Sequence, residues 1–388
     1  MPDPSGAYRV LHLAEADDTS GLFPALARWH DPRRYRMYFA TLYPIAPGLR
    51  DLMTSRGVDV FSCDARSRAA FPLAMGRLAR FLRRERIDVA HTHLFWPSVA
   101  GLQAAGVART PVRIMTRHYS DYHTRIDKKW HVRLDQLCIR LCDDVIAVSE
   151  HTARHLIDVE HAPPEKVHTV LNGFDAERVE RSDGTTPEEV RREFDANGDY
   201  LLVVAGRLHP EKGYEHLFRA LPRIQRAVDR PVRLLVAGRG PFEETFRRQV
   251  SELGCEGAVS FLGFREDAPS LMAAADLVVL PSVAEAFGIA VAEALYVGTP
   301  VVATTVGGIP EIVDDGVDGV LVPPAEEEAL ADAITGLLTD PARRAEMAGA
   351  GRDKVTTQFS FEAMVREYER IYDAALRRKG LHPGSPEG

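Results

Sequence analysis

The chain has 388 residues but only six lysines against 42 arginines, a bias that reflects coding composition rather than a binding role. Its four cysteines, Cys63, Cys138, Cys142 and Cys255, are scattered. Cys138 and Cys142 share a helix face at i,i+4. No second Cys/His pair stands at zinc-ligand spacing, so a structural zinc site is not expected. Reduced, buried thiols are expected instead, which points to the cytoplasm. No apolar run of about eighteen residues free of Gly and Pro occurs, which excludes a spanning helix. The opening MPDPSGAYRV has no basic region followed by an apolar one, so no signal peptide is read there. A Walker A loop is absent. No D-x-D motif fits a metal site near the strand ends.

What is present fits a globular protein, with 45% hydrophobic and 27% charged residues. A chain this long exceeds what one core usually serves, so two domains are expected. The net charge of −8 argues against general nucleic-acid binding. It is uneven: residues 1–180 carry net +3 and residues 181–388 net −11. A mildly basic first half suits an anionic acceptor or a membrane surface. The segment RLARFLRRERID (77–88) is a basic amphipathic helix. It can lie on the inner face of an anionic membrane, or be the solvated face of a helix covering a sheet, the commoner case.

Apolar, Val/Leu/Ile-rich runs recur, each followed by a helical pattern. In the first half they fall at 8–16, 36–43, 58–62, 87–93, 112–116, 144–149 and 167–172. After the polar stretch ERSDGTTPEE (180–189), read as a linker, they restart at 200–207, 232–238, 258–263, 276–282, 300–305 and 319–324. They lack clean alternation, as strands buried on both faces do. Two β-α series imply an α/β protein of two doubly wound, Rossmann-like domains, 1–180 and 190–358, facing across a cleft. Residues 359–388 read as a closing helix that returns toward the first domain, followed by a disordered tail.

The strand ends of the second half carry the chemistry. In VAGRLHPEKG (204–213), Gly206 leaves room at a turn, and Arg207 and Lys212 suit a diphosphate, one as a fork and one as a point charge. Alone, two surface cations would explain them. VAGRGPFE (236–243) begins like a dinucleotide fingerprint but has Glu243 where the third Gly belongs, so a tight turn explains it. In FLGFRED (261–267), Gly263 and Phe264 end a strand where a nucleobase could lie, or form a plain turn. In LPSVAEAFGIAVAEALYVGTP (280–300), a loop bearing Glu285, Phe287 and Gly288 leads into a helix from about Ile289 to Val297. Free amides at that helix start favour an anion. Glu285 precedes the helix and Glu293 lies just over one turn inside it, so the two can reach opposite ends of an extended ligand. A carboxylate accepts two sugar hydroxyls well. An unpaired charge among Val291, Ala292, Ala294 and Leu295 would be costly. In TTVGGIPEIV (304–313), the Gly307-Gly308 pair lets backbone approach the cleft.

Taken together, GRL…EKG, LPS…EAFG…EA and GTPVVAT…GGIPEIV…GVLVPP resemble the retaining glycosyltransferases of family 4, of GT-B fold, over about 200–325. Two glutamates separated by seven residues, Glu285 and Glu293, match that family's signature. VAHTH (89–93), IAVSE (146–150) and LNGFD (171–175) extend the likeness into the first half. The resemblance implies a nucleotide-diphosphate sugar as co-substrate in the second domain, UDP before GDP, and a sugar, lipid or small-molecule acceptor in the first. It implies diphosphate contacts for Arg207 and Lys212, the donor sugar for Glu285 and the ribose for Glu293. Main-chain contacts are implied for Phe287, Gly288 and Ile289, and a place near the sugar for His118. The family's Gly-Gly pair after the first strand is missing. Asp17, Asp18, Thr19, Ser20 and Gly21 stand there instead, and Asp17 and Asp18 would repel a diphosphate, so this loop is assigned to the acceptor.

The implied chemistry needs no metal or other cofactor, because Arg207, Lys212 and the helix start can meet the charge that grows on the leaving diphosphate. His91 and His93 form an H-x-H strand end that could bind metal, but no third ligand is evident, so a structural role is expected. A sugar-nucleotide epimerase, a phosphorylase and a non-catalytic sugar-nucleotide binder remain rivals. A glycosidase using Glu285 and Glu293 as its acid/base pair would not need the diphosphate cations.

Overall fold

The computed structural model describes residues 6–15, 21–119, 129–174, 176–180 and 185–381. The chain divides into two compact units, Met1–Gly173 with Phe361–Gly388, and Phe174–Ser360.

The first unit holds a seven-stranded parallel sheet: β1 (Tyr8–Ala14), β2 (Tyr35–Thr41), β3 (Asp59–Ser62), β4 (Val89–His93), β5 (Val112–Arg117), β6 (Asp144–Ala147) and β7 (Val167–Thr169). Their spatial order is β3-β2-β1-β4-β5-β6-β7. The order reverses between β1 and β4, the switch point at which such sheets open a crevice beyond their carboxyl ends. Helices cover both faces, which is why Val89, Val112, Ile114 and Val145 are wholly buried and the runs do not alternate. The helix Phe361–Arg378 belongs to this unit. It packs on the helix Leu22–Trp29 and buries Met364, Val365, Tyr368, Ile371 and Tyr372.

The second unit holds six parallel strands: β8 (Tyr200–Ala205), β9 (Val232–Ala237), β10 (Val259–Gly263), β11 (Leu277–Leu280), β12 (Val301–Thr304) and β13 (Gly319–Val322). Their order is β10-β9-β8-β11-β12-β13, with the switch point between β8 and β11.

Two expectations change. The chain enters the second unit at Phe174, ahead of the stretch read as a linker. Within that stretch, Thr186 and Glu189 form a reciprocal capping box that starts the helix Pro187–Glu193. Those residues are therefore a helix start rather than linker, while 181–184 lie outside the described residues. The basic segment forms the later part of the helix Phe71–Arg84, which buries Leu78, Ala79, Phe81 and Leu82 and exposes Arg77, Arg80, Arg83 and Arg84. Among the described residues, no helix is long and apolar enough to cross a membrane. All four cysteines are buried free thiols. Burial pushes Cys63, Cys138 and Cys142 up to about 12, which makes them inert.

Candidate active site

In the second unit, the loops after β8 and β11 meet at the switch point. The 3-10 turn Pro210–Lys212 ends at Gly213, whose φ of 65° is left-handed. A Cβ there would stand 1.9 Å from the Pro281 carbonyl oxygen, so only glycine lets the two loops close. The carbonyl of Glu211 accepts the Val283 amide at 2.8 Å and fastens the same pair of loops. This contact brings Lys212 Nζ to 2.5 Å from the Glu285 carboxylate, with both side chains mostly buried. Read from residue order, each has a ligand role of its own. The structure shows that they are also partners of one another.

The loop after β12 completes the cradle. Gly307 has a φ of 57°, and a Cβ there would lie 1.5 Å from the Glu285 carbonyl oxygen. At Gly307, the close backbone approach expected of the Gly307-Gly308 pair is made by the Glu285 backbone. Gly307 is thus a prop for Glu285.

The helix Ile289–Tyr296 begins at Gly288, with no side-chain cap on its first turn. Its opening amides are therefore suited to an anionic ligand. Phe287 is 2% exposed and its ring lies against Phe359, so its side chain anchors the loop and only its main chain is offered to a ligand. Glu293 is 6% exposed on this helix, facing inward as its apolar neighbours required. Arg207 is exposed and pairs with Glu211. The Gly206 carbonyl accepts the Tyr214 hydroxyl at 2.8 Å. At the end of β10, the Gly263 carbonyl accepts the Gly238 amide at 2.7 Å, and Phe264 is 44% exposed beside Arg239. An exposed aromatic ring at a strand's carboxyl end is a platform for a flat base.

In the first unit, His118 follows β5 directly. Its Nε2 lies 3.1 Å from His93 Nδ1, and His93 Nε2 lies 3.0 Å from His12 Nδ1. His91 bonds the Tyr372 hydroxyl at 2.6 Å and the Thr116 hydroxyl at 2.7 Å. Burial lowers all four histidines: His12 to about 3, His118 to about 4, and His91 and His93 well below their usual range. The expectation that His91 and His93 lack a third ligand is corrected, because β1 pairs with β4 and sets His12 beside both. The group has the donor set of a metal site, yet both His91 nitrogens already hold hydrogen bonds, which fits a structural network better. The strand end bearing His118 is fixed by Arg117. This buried guanidinium donates to both Glu160 oxygens at 2.7 and 2.9 Å and lies 3.3 Å from Asp135. Asp17, Asp18, Thr19 and Ser20 lie outside the described residues; Gly21, with φ 74°, precedes the helix Leu22–Trp29.

Two Rossmann-like units of parallel strands, one carrying paired cations and carboxylates at its switch point, have the architecture of the GT-B glycosyltransferases. Residues 186–354 match the family model described as glycosyl transferases group 1, and residues 25–178 the one described as glycosyltransferase family 4. The chain is 30% identical over 330 residues to the D-inositol 3-phosphate glycosyltransferase of Corynebacterium glutamicum, covering 79% of this chain and 77% of that one. It is 29% identical to the N-acetyl-alpha-D-glucosaminyl L-malate synthase of Bacillus anthracis, covering 78% of each. The solved structure of Anabaena Alr3699/HepE in complex with UDP and glucose matches with a TM-score of 0.81 at 25% identity, over 95% of this chain and all of that one. The chain belongs to glycosyltransferase family 4 and is a glycosyltransferase.

Proposed function

We propose that this enzyme moves a sugar from a UDP-sugar to a hydroxyl acceptor, with retention at the anomeric carbon and without a metal ion. The observation that carries this reading is the Lys212–Glu285 pair at the switch point of the second unit, beside the uncapped start of the helix Ile289–Tyr296. A diphosphate placed there would meet Lys212, Arg207 and the amides that follow Gly288. Glu285 then holds the donor sugar, Glu293 the ribose, and Gly263 with Phe264 the base. UDP is preferred because the HepE structure holds it.

Bond breaking leaves negative charge on the diphosphate. A cation at about 4 Å in a partly buried site interacts with that charge by about 4 kcal/mol before desolvation is subtracted. Two cations and a helix start thus supply the stabilisation that a metal would otherwise provide. Attack from the same face, with the leaving phosphate oxygen taking the acceptor's proton, needs no protein nucleophile. Glu285 is assigned to positioning and His118 to a hydrogen bond with the donor sugar. The first unit takes the acceptor, near Gly21. For a lipid acceptor, the exposed Arg77, Arg80, Arg83 and Arg84 are the surface for an anionic membrane.

The test is a panel of UDP- and GDP-sugars with candidate acceptors, run with and without a chelator, and NMR of the anomeric coupling in the product. Transfer from a UDP-sugar, unaffected by the chelator and with the donor's anomeric configuration, is expected. An inverted product, or turnover only with added divalent cation, would overturn the reading.

A further inference from the structure

Three adjacent strands converge on a row of histidines that the proposed reaction does not yet use. The register pairs His12 with His91 across β1 and β4, and His93 with Thr116 across β4 and β5. His12, His91 and His93 therefore project to one face of the sheet. They lie against Phe23 and Tyr372, and all three are 3% exposed or less. His118, two residues past Thr116, receives the end of the row.

The row is a chain of ring nitrogens: His12 Nδ1 to His93 Nε2 at 3.0 Å, then His93 Nδ1 to His118 Nε2 at 3.1 Å. Each link needs one donor and one acceptor. A neutral imidazole has one of each. The chain therefore has only two self-consistent registers, and either one sets the tautomer of every ring at once. In one, His118 carries its proton on Nδ1. In the other it carries it on Nε2, and Nδ1 becomes an acceptor. Protonating His93, whose two nitrogens both lie within the row, would put two donors face to face and bury a charge. At the far end, His12 lines a cavity of about 20 Å³ shared with His30, Tyr35 and Glu369.

We propose that His93, held by His12, is a positioning residue for glycosyl transfer: the row His12–His93–His118 fixes the ring orientation of His118 and couples its tautomer to those of the two rings behind it, so that its Nδ1 meets the substrate hydroxyl from a neutral imidazole. This rests on the role given to His118 above. His93 touches no substrate; it acts through His118, as an outer partner orients a catalytic or metal-bound imidazole.

The test uses the full chain with ¹⁵N-labelled histidine. His93→Phe keeps a ring of similar volume and removes both nitrogens. His12→Asn keeps a polar atom near the position of Nδ1, whereas His12→Phe does not. Expected are a folded His93→Phe protein with kcat reduced about 10- to 100-fold, donor KM changed less than about twofold, and His118 ¹⁵N signals whose tautomer balance shifts from that of the wild type. His12→Phe should follow it in kind and His12→Asn should restore both readouts. A folded His93→Phe protein with wild-type kcat, or one that loses kcat while the His118 tautomer balance stays as in the wild type, would overturn the proposal. The spectrum reads the row independently of activity. Wild-type turnover in His118→Ala would instead end the role of His118, and with it the service of the row to transfer.

Discussion

Lys212 and Glu285 stand 73 positions apart in sequence and 2.5 Å apart in space. Neither residue makes that contact alone. Gly213 lets the first loop close on Pro281, and Gly307 props the backbone of Glu285 from the other side. In the free enzyme the lysine charge is thus held in place by a carboxylate. On the proposed function, a diphosphate that enters would share the ammonium instead of having to order it, which is the preorganisation that electrostatic stabilisation of a leaving group requires.

Lys212→Ala and Glu285→Ala should each lower kcat about 100- to 1,000-fold, the range seen when one preorganised group is removed from a charge-stabilising site. The two losses should not add, because the residues share one contact. Steady-state kinetics on both single variants and the double variant checks this, with circular dichroism to confirm the fold. Full turnover in either single variant would sink the assignment.

Glu293 should act on nucleotide binding and not on the chemical step. Hydrogen bonds to a charged group contribute about 1.5–3 kcal/mol. Glu293→Gln should therefore raise the Kd for UDP about 10- to 100-fold. Calorimetry with UDP and with a deoxyribose analogue provides the check. The wild-type enzyme should discriminate between them and the variant should not. Equal discrimination in both would place the ribose elsewhere.

The buried histidines make the first unit sensitive to acid. Their folded values lie below the unfolded value of about 6.5, with His12 near 3 and His118 near 4. Between these limits the unfolded chain binds protons that the folded chain refuses, so stability rises with pH in that window. Each histidine contributes in full above about pH 6.5 and loses about 1.4 kcal/mol per pH unit below it. Urea midpoints at pH 7.5, 6.0 and 5.0 should fall progressively, and His12→Phe and His93→Phe should flatten the fall. A midpoint independent of pH across this range would contradict the buried, neutral state of the row.

Much of this architecture was legible from residue order. Eleven of the thirteen strands lie within runs that were apolar without alternation, and β2 and β5 each extend one residue beyond theirs, because burial on both faces demands that composition and the turns between them carry Gly and Pro. The glutamates and cations of the second unit stood at strand ends, where a doubly wound sheet exposes function. Partnerships across the sheet were not legible. His12 sits in an ordinary-looking first strand, and only the order β2-β1-β4-β5 sets it beside His91 and His93. Gly307 reads as a point of close backbone approach, but a sequence records only that a side chain is absent, not that the backbone of Glu285 fills the space. An apolar strand with a lone histidine level with an H-x-H strand end was the signal that could have revealed the row.

Arg117 and Glu160 form a buried pair, each side chain 2% exposed, with Asp135 completing the group. Glu160→Leu would leave the guanidinium short of one counter-charge away from water, and breaking a buried pair by removing one partner costs about 3–5 kcal/mol. A lower urea midpoint for the first unit is expected, together with a lower kcat, because Arg117 immediately precedes His118. A variant as stable as the wild type would show that this pair does not hold the strand end.

The helix Phe71–Arg84 supplies the last prediction. Its exposed face carries four arginines, and Leu73 beside them is 61% exposed. Each basic residue near an anionic surface contributes about 1 kcal/mol, and salt screens the attraction within about a Debye length. The enzyme should cosediment with phosphatidylglycerol vesicles at low ionic strength, release as salt is raised, and ignore phosphatidylcholine vesicles. Arg80→Glu with Arg84→Glu should abolish the binding, since each change reverses a charge. Transfer to a water-soluble acceptor should be unaltered in that double variant, because neither residue lies at the strand ends that carry the site. Equal binding to both vesicle types, or none at low salt, would leave this face as the solvated side of a helix that covers a sheet.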